Sequence, residues 1–135
     1  MITKTKQKSK TTLVKSLDII FSKFIRLRDT PGGFGRCISC GKIITYSDSD
    51  CGHYINRKHM TTRYDEKNCN AQCRSCNRFD EGNLQGYRRG LLKKIGEKET
   101  DLLEVKKHGV STMGVFELGI LIKHYKQKVK EHENM

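Results

Sequence analysis

Two closely spaced cysteine pairs constrain the fold of this chain more than any other feature of its sequence. The first pair is Cys37 and Cys40, and the second is Cys73 and Cys76. Two cysteines three positions apart can hold one metal ion from a tight turn, and two such pairs complete the four-thiolate shell of a structural zinc site. Gly41, directly after the first pair, gives that turn conformational freedom. The sequence therefore predicts a core organised around zinc.

Composition explains why such a chain would use a metal. Only 35% of its 135 residues are hydrophobic and none is tryptophan, so apolar burial alone gives a modest core. The lysine-rich N-terminus has no apolar signal region, and no stretch approaches the roughly 18 to 20 apolar residues of a membrane span. Paired cysteines without a secretory signal favour reduced, metal-bound thiolates. We therefore expect a cytoplasmic protein that does not enter a membrane.

The charge balance indicates a polyanionic partner. There are 27 Lys and Arg residues against 15 Asp and Glu, which gives a formal net charge of +12. Neutralising nucleic-acid phosphates releases condensed counterions, so such an excess favours nucleic acid, although charge can also serve solubility alone. The candidate DNA-binding residues, each of which could equally be a solvated side chain, are Arg57, Lys58, Arg63, Arg74, Arg78, Arg88 and Arg89.

Apolar periodicity divides the chain into a zinc core with helical flanks. We predict a basic flexible arm over 1–11, an N-terminal helix over 12–30, a zinc-containing core over 31–96 and a C-terminal helical region over 97–135. Apolar residues recur at helical spacing in both flanks, whereas the core contains short apolar runs between turn residues. The predicted fold class is therefore α+β.

Within the core, the pattern predicts a zinc knuckle followed by two extended segments and a helix. The first extended segment covers 42–46, and the second covers 51–55 after a turn rich in Ser and Asp. We expect the helix to begin near Cys73 and to run a few turns before Gly82.

A histidine and two asparagines within this core suggest chemistry beyond zinc binding. Hydrolysis of a phosphodiester needs a base to activate water and a cation to stabilise the developing charge. His53 suits the base, Asn68 could brace the fold or orient the imidazole, and Asn77 offers an amide oxygen to Mg²⁺ or Mn²⁺. His53 could instead be a buried core histidine or a zinc ligand, and the asparagines could be turn or cap residues.

The order of these residues resembles a known family. The motifs 37–41, 52–54, 63–68 and 72–77 are similar to the lambdoid phage NinG/Rap recombination proteins, over roughly residues 20–100. The resemblance places the chain among the HNH (His-Me finger) endonucleases, with more distant similarity to phage T4 endonuclease VII. It implies a zinc-bound ββα-metal, treble-clef-like core and a metal-dependent endonuclease that cuts branched DNA such as Holliday junctions and D-loops. It also implies the cytoplasm of a host cell and a possible homodimer.

One position departs from the general HNH pattern. Many members have a metal-binding aspartate directly before the histidine, where this chain has Gly52. Asn77 alone would bind a cation weakly, because hard metals favour charged oxygen ligands. The acids that could complete it are Asp50, Asp65, Glu66, Asp80 and Glu81, of which we favour Asp65 or Asp80.

Two cysteines lie outside the paired pattern. Cys51 and Cys69 fit buried free thiols, although a substitute zinc ligand or a redox pair remains open. Two other functions also remain open for the whole chain: a zinc-finger protein that binds nucleic acid without cutting it, and an HNH nickase without junction preference.

Overall fold

The structure, a computed structural model, describes residues 7–135, which form helices and short strands. The helices are α1 (Lys10–Asp29), α2 (Met60–Arg63), α3 (Leu84–Lys94), α4 (Gly96–Lys106) and α5 (Val115–Glu133). The strands are β1 (Phe34–Arg36), β2 (Ile43–Thr45), β3 (Ser49–His53) and β4 (Cys69–Cys73). The predicted α+β class is confirmed.

Helix α1 begins slightly earlier than its apolar pattern predicts. The Ser9 side chain accepts a hydrogen bond of 3.2 Å from the Thr12 amide, so the helix is capped and starts at Lys10. The predicted flexible arm over 1–11 is thus too long by two residues at its end, and its residues 1–6 lie outside the described part of the chain. The helix ends at Asp29, immediately before the Thr30–Pro31 step.

Helix α5 packs against α1 through aromatic side chains. The Tyr125 ring lies 4.9 Å from the Phe21 ring, nearly perpendicular to it, and 5.2 Å from the Phe24 ring. Such edge-on contacts add to the apolar area that the rings bury. The buried residues of this helical core are Leu17, Phe21, Phe24, Ile25, Cys69, Leu118, Tyr125 and Val129.

The strands form two separate antiparallel pairs. In the first, Phe34 of β1 is opposite Thr45 of β2, so the intervening segment 37–42 is the turn of a hairpin. In the second, Ser49 is opposite Cys73 and His53 is opposite Cys69. This second pair, β3 and β4, carries the residues of interest.

The helix predicted to begin near Cys73 is wrong in type and length. Cys73 is the last residue of β4, because its backbone pairs with Ser49. The helical segment that follows is a single wide π-turn, Ser75–Phe79, and the backbone leaves helical geometry at Asp80. The next regular helix is α3, which begins only at Leu84.

Helix α3 approaches the first cysteine turn closely enough that two of its positions require glycine. A Cβ atom on Gly90 would lie 2.0 Å from the Ile38 carbonyl oxygen, and one on Gly86 would lie 2.4 Å from that of Ser39. The buried Tyr87 hydroxyl donates a 2.7 Å hydrogen bond to the Gly52 carbonyl. Helix α3 therefore joins the cysteine turn to strand β3. No helix within residues 7–135 combines the length and apolarity needed to cross a membrane.

Candidate functional site

The four paired cysteines converge as their spacing predicts. The sulfur atoms of Cys37, Cys40, Cys73 and Cys76 all lie within 4.8 Å of one another. The Cys40 and Cys73 sulfurs are 3.8 Å apart. Zinc–sulfur bonds of about 2.3 Å in a tetrahedron place the sulfurs about 3.8 Å apart, so these residues fit the metal. The cluster can hold a metal such as zinc.

The backbone around this cluster holds the sulfurs in position. The Cys37 amide donates to the Lys42 carbonyl at 2.8 Å, and the Gly41 amide donates to the Cys37 carbonyl at 2.9 Å. Gly41 has φ +77°, which side-chain-bearing residues rarely adopt. The Asn83 side-chain amide also lies 3.4 Å from the Cys76 sulfur, where it can donate to a thiolate. The turn is thus organised for metal binding.

His53, the candidate base, is the last residue of β3 and borders a cleft of about 620 Å³. Its Nε2 lies 3.0 Å from the Arg63 carbonyl oxygen. A carbonyl oxygen can only accept, so Nε2 carries the proton and donates it. In the neutral ring, Nδ1 then holds the lone pair.

The surroundings of His53 favour that neutral form. Burial lowers the pKa of His53, and the positive charges of Arg57 and Arg63 lower it further; together these effects outweigh the hydrogen bond to the Arg63 carbonyl. Since the ordinary histidine pKa is about 6.5, the imidazole is neutral at neutral pH. It can therefore accept a proton.

Asn68 does not reach the imidazole but braces the segment between β3 and β4. It is fully buried, and its Oδ1 accepts a 2.7 Å hydrogen bond from the Ile55 amide. Its Nδ2 donates to the carbonyls of Ile55 and Thr62, each at 3.1 Å. Thr62 immediately precedes Arg63, whose carbonyl holds His53, so Asn68 supports the histidine indirectly.

Asn77 lies on the π-turn and borders the same cleft as His53. Its side-chain amide donates a 3.0 Å hydrogen bond to Oδ2 of Asp50, which also accepts one of 2.8 Å from Arg78. Burial alone would raise the pKa of Asp50, but the hydrogen bonds from Arg78 and Asn77 outweigh it and the pKa is lowered. An ionised carboxylate is therefore paired with the candidate amide ligand.

The two acids favoured from sequence are placed elsewhere. Asp65 accepts a 3.1 Å hydrogen bond from the Lys106 ammonium on α4, and neither it nor Asp80 borders the cleft. Glu81 does border it, in the left-handed conformation with φ 46°. Such conformations are strained for residues with a side chain and often occur at functional sites.

Several candidate DNA-binding arginines are engaged in ion pairs within the chain. Arg63 donates to Asp18 at 2.9 Å, and Arg88 to Glu104 at 2.6 Å. Arg74 and Arg78 both lie within 4.0 Å of Asp50. Arg57 borders the cleft, and Arg57, Lys58 and Arg89 are exposed. Arg74 and Arg78 are thus ion-paired but exposed, whereas Arg63 and Arg88 are ion-paired and half-buried.

Asp18 is a site residue that sequence reasoning missed. It lies on α1, borders the cleft and accepts hydrogen bonds from Arg63 and from the Tyr64 hydroxyl, the latter at 2.8 Å. No short-range spacing in the sequence connects Asp18 to Arg63 and Tyr64, which lie more than 40 positions away.

The remaining cysteines lie beside His53. Cys69 is fully buried, and burial raises the pKa of its thiol well above the ordinary value. Cys51 is half-buried and borders the cleft. Neither forms a disulfide in the structure, and the three alternatives from sequence (buried free thiols, a substitute zinc ligand or a redox pair) all stay open.

Comparison with known proteins identifies the family. The model of the bacteriophage lambda NinG protein family matches residues 1–134. Protein ninG of Escherichia phage 933W is 34% identical over 122 residues, which cover 90% of this chain and 58% of the relative. Protein ninG of phage lambda is 33% identical, with 90% and 57% covered, and that of Salmonella phage P22 is 35% identical, with 87% and 56% covered.

The chain thus spans less than three fifths of the length of these relatives. No solved structure matches it. The family match extends over nearly the whole chain. The chain therefore belongs to the NinG family of bacteriophage proteins.

Proposed function

We propose that this chain is a metal-dependent DNA endonuclease of the HNH, ββα-metal type, which cuts branched recombination intermediates such as Holliday junctions and D-loops. The observation that carries the proposal is the shared cleft of His53 and Asn77, in which the imidazole is held with its Nδ1 lone pair available. The preference for branched DNA rests on the family resemblance.

His53 acts as the general base. Its Nδ1 takes a proton from water while the water oxygen attacks the phosphorus atom and the bond to the 3′-oxygen breaks. The Arg63 carbonyl keeps the ring oriented through Nε2 and also stabilises the imidazolium that forms. The neutral resting state of His53 follows from its burial and from the adjacent arginines.

The oxygen atoms near Asn77 suit a hard cation. A bound Mg²⁺ or Mn²⁺ would stabilise negative charge on the phosphate and on the departing 3′-oxygen. The residues of this chain that would hold it are Asn77, with Asp50 at hydrogen-bonding distance from it and Glu81 on the cleft wall. Asp50 does not border the cleft, but its contact with Asn77 favours it over Asp65 and Asp80. Glu81 is favoured over them because it borders the cleft.

Exposed basic residues around the cleft would contact the DNA backbone. Arg57 lies on the cleft wall, and the net charge of +12 favours a phosphate-rich partner. Arg74 and Arg78 are paired with Asp50 at the surface, where ion pairs are weak, so a phosphate can compete for them. A homodimer would place two sites on the two strands of a junction.

One contact favours a second candidate function. Both carboxylate oxygens of Asp50 accept hydrogen bonds from Arg78, at 2.8 and 2.9 Å, so an arginine occupies the position of a cation. A zinc-stabilised protein that binds nucleic acid without cutting it could keep the ion pair between Asp50 and Arg78 intact. An endonuclease that held its metal through Asp50 would have to displace Arg78 from that carboxylate.

The test compares cleavage of a labelled four-way junction with cleavage of a matched linear duplex, in Mg²⁺ or Mn²⁺. The variants are His53→Ala and, as a matched control, His108→Ala, which removes an exposed histidine outside the cleft. Loss of the base should reduce cleavage about 10²- to 10⁴-fold without reducing junction binding. The His108 variant should cut normally.

The same assay distinguishes the alternatives. Binding without cutting in either metal would overturn the catalytic proposal and leave the nucleic-acid-binding protein. Equal cutting of junction and duplex would indicate a nickase without junction preference. Because the pKa of His53 is lowered, cleavage should be lost only as the pH falls below about 6.5, where the base becomes protonated.

A further inference from the structure

A second group of metal-ligating side chains lies beside the candidate base, apart from the four-cysteine cluster. The ligand atoms of Cys51, His53 and Cys69 all lie within 4.8 Å of one another. His53 and Cys69 are directly opposite in the pairing of β3 with β4, and Cys51 precedes His53 by two positions on the same face of the strand. The two strands therefore bring all three side chains to one face.

We propose that Cys51, His53 and Cys69 form a second, three-ligand site for a thiophilic divalent cation such as zinc, with its fourth position open to the cleft. Two thiolates and an imidazole are a donor set that zinc favours. Zinc–sulfur bonds of about 2.3 Å and zinc–nitrogen bonds of about 2.0 Å place the ligand atoms roughly 3.5 to 3.8 Å apart. The ligand atoms in this structure lie within 4.8 Å of one another, close to that range.

The strand register favours a bridging cation over a disulfide. Cys51 is directly opposite Ala71, so Cys51 and Cys69 are diagonal neighbours across the strand pair. Diagonal neighbours have Cα atoms about 7 to 8 Å apart, whereas a disulfide needs about 4.4 to 6.8 Å. A direct S–S bond would require backbone movement, but a metal between the sulfurs would not.

Access to the cluster is one-sided. Cys51 and His53 border the cleft, whereas Cys69 is completely buried behind them. The Arg63 carbonyl lies 3.0 Å from His53 Nε2 and 3.5 Å from the Cys69 sulfur. A cation bound at Nδ1 would leave Nε2 donating to that carbonyl, which is how metal-binding histidines are usually held. The open position of the cation would then face the cleft.

Such a cation would compete with the catalytic role of His53, a consequence that rests on the proposed function. A cation on Nδ1 takes the lone pair that accepts the proton from water, and a cation on Nε2 requires the tautomer with the proton on Nδ1, which then cannot accept another. Zinc in excess of the four-cysteine site would therefore inhibit cleavage.

The first test measures bound zinc in the full chain after dialysis against buffered zinc. We expect the wild type to bind two zinc ions and Cys51→Ala and Cys69→Ala to bind one each. Cys51 is half-buried, so its alanine variant keeps the core intact even if loss of the buried Cys69 disturbs folding. His108→Ala should still bind two.

A second measurement follows the reactivity of the Cys51 thiol, which is a proposed ligand of the cation. Zinc should slow alkylation of Cys51 by iodoacetamide in the wild type, and the protection should be lost in His53→Ala. A wild type that binds only one zinc, or a Cys51→Ala variant that still binds two, would overturn the proposal. These readouts do not require DNA cleavage and so remain decisive if the endonuclease proposal fails.

The inhibition is tested as a ratio of cleavage rates with and without excess zinc. The ratio should fall at least tenfold in the wild type and stay near one in Cys51→Ala. Two bound zinc ions with no change in cleavage rate would contradict the competition for His53 while retaining the metal site.

Discussion

The helical core and the cysteine turn are stabilised in different ways. The helical core of α1 and α5 buries large apolar side chains, including Phe21, Phe24 and Leu118. The cluster at the cysteine turn consists of Cys37, Ile44, Ala71, Cys73 and Cys76, which are mostly small. A fully buried large apolar side chain contributes roughly 1.5 to 3 kcal/mol, so the first region can be stable through packing alone and the second cannot.

Strand β4 connects the two regions. Its first residue, Cys69, belongs to the helical core, while Ala71 and Cys73 belong to the cysteine cluster. The candidate site, with His53 opposite Cys69, thus lies where packing and metal binding meet. Loss of the metal should therefore unfold the cysteine turn first and leave the helical core in place.

The largest effect should come from Cys40→Ala. Cys40 is the one exposed member of its cluster, so its replacement removes little packing and mainly a metal ligand. We expect the chain to bind one zinc ion fewer and its free energy of unfolding to fall by roughly 5 kcal/mol or more. Zinc content and chemical denaturation would measure both changes.

A chelator provides the control for this variant. With zinc removed, wild type and Cys40→Ala should have the same stability, because only the metal distinguishes them. Amides of residues 37–45 should lose hydrogen-exchange protection while those of α1 and α5 keep it. Equal loss of protection in both regions would show that the helical core also depends on the metal.

A smaller effect is expected from Leu118→Ala, which breaks the helical core instead. Leu118 is completely buried, and its truncation should lower the free energy of unfolding by about 3 kcal/mol. Zinc binding should be unchanged. Phe116→Ala in the same helix removes a side chain that is 77% exposed and should change stability by less than about 0.5 kcal/mol. Loss of zinc from Leu118→Ala would show that the two regions unfold together.

A smaller effect than that of Leu118→Ala should come from Asp18→Asn, which weakens the link from α1 to the loop that holds His53. Burial alone would raise the pKa of Asp18, but hydrogen bonds from Arg63 and Tyr64 outweigh it and the pKa is lowered. The folded state therefore favours the charged form, and we expect a loss of about 1 to 2 kcal/mol at neutral pH.

The pH dependence of that loss follows from the direction of the shift. A carboxyl group with a lowered folded pKa stabilises the protein fully above its unfolded pKa of about 3.9, and less as the pH falls through the folded value. Wild type and Asp18→Asn should thus converge in stability in strong acid. A difference that persists there would mean that Asp18 acts through packing and not through its charge.

Local patterns predicted part of this molecule well. Cysteines three positions apart converge because a short turn leaves them few alternatives, and the helical core follows from apolar residues at helical spacing in α1 and α5. The type of segment after Cys73 was missed because pairing with Ser49, far away in sequence, keeps that residue in a strand. Long-range pairing overrode the local preference.

In the candidate site too, local spacing predicted some residues and long-range contacts decided the others. The positions of His53 and Asn77 relative to the cysteines marked both as candidates. Asp50 was among the candidate acids but was not favoured, since it reaches Asn77 only across the paired strands. The proton on Nε2 of His53 depends on the Arg63 carbonyl, which Asn68 helps to position. These contacts join residues distant in the chain.

The sequence by itself determined the convergence of four cysteines that can hold a metal, the α+β class, and the presence of a histidine and an asparagine close to them, because each depends on short-range spacing. Only the tertiary structure decided which acid accompanies Asn77, which nitrogen of His53 is free, and that Cys51 and Cys69 meet beside it. The physical reason is that hydrogen bonds and metal ligation act over a few ångströms in space, whatever the separation along the chain.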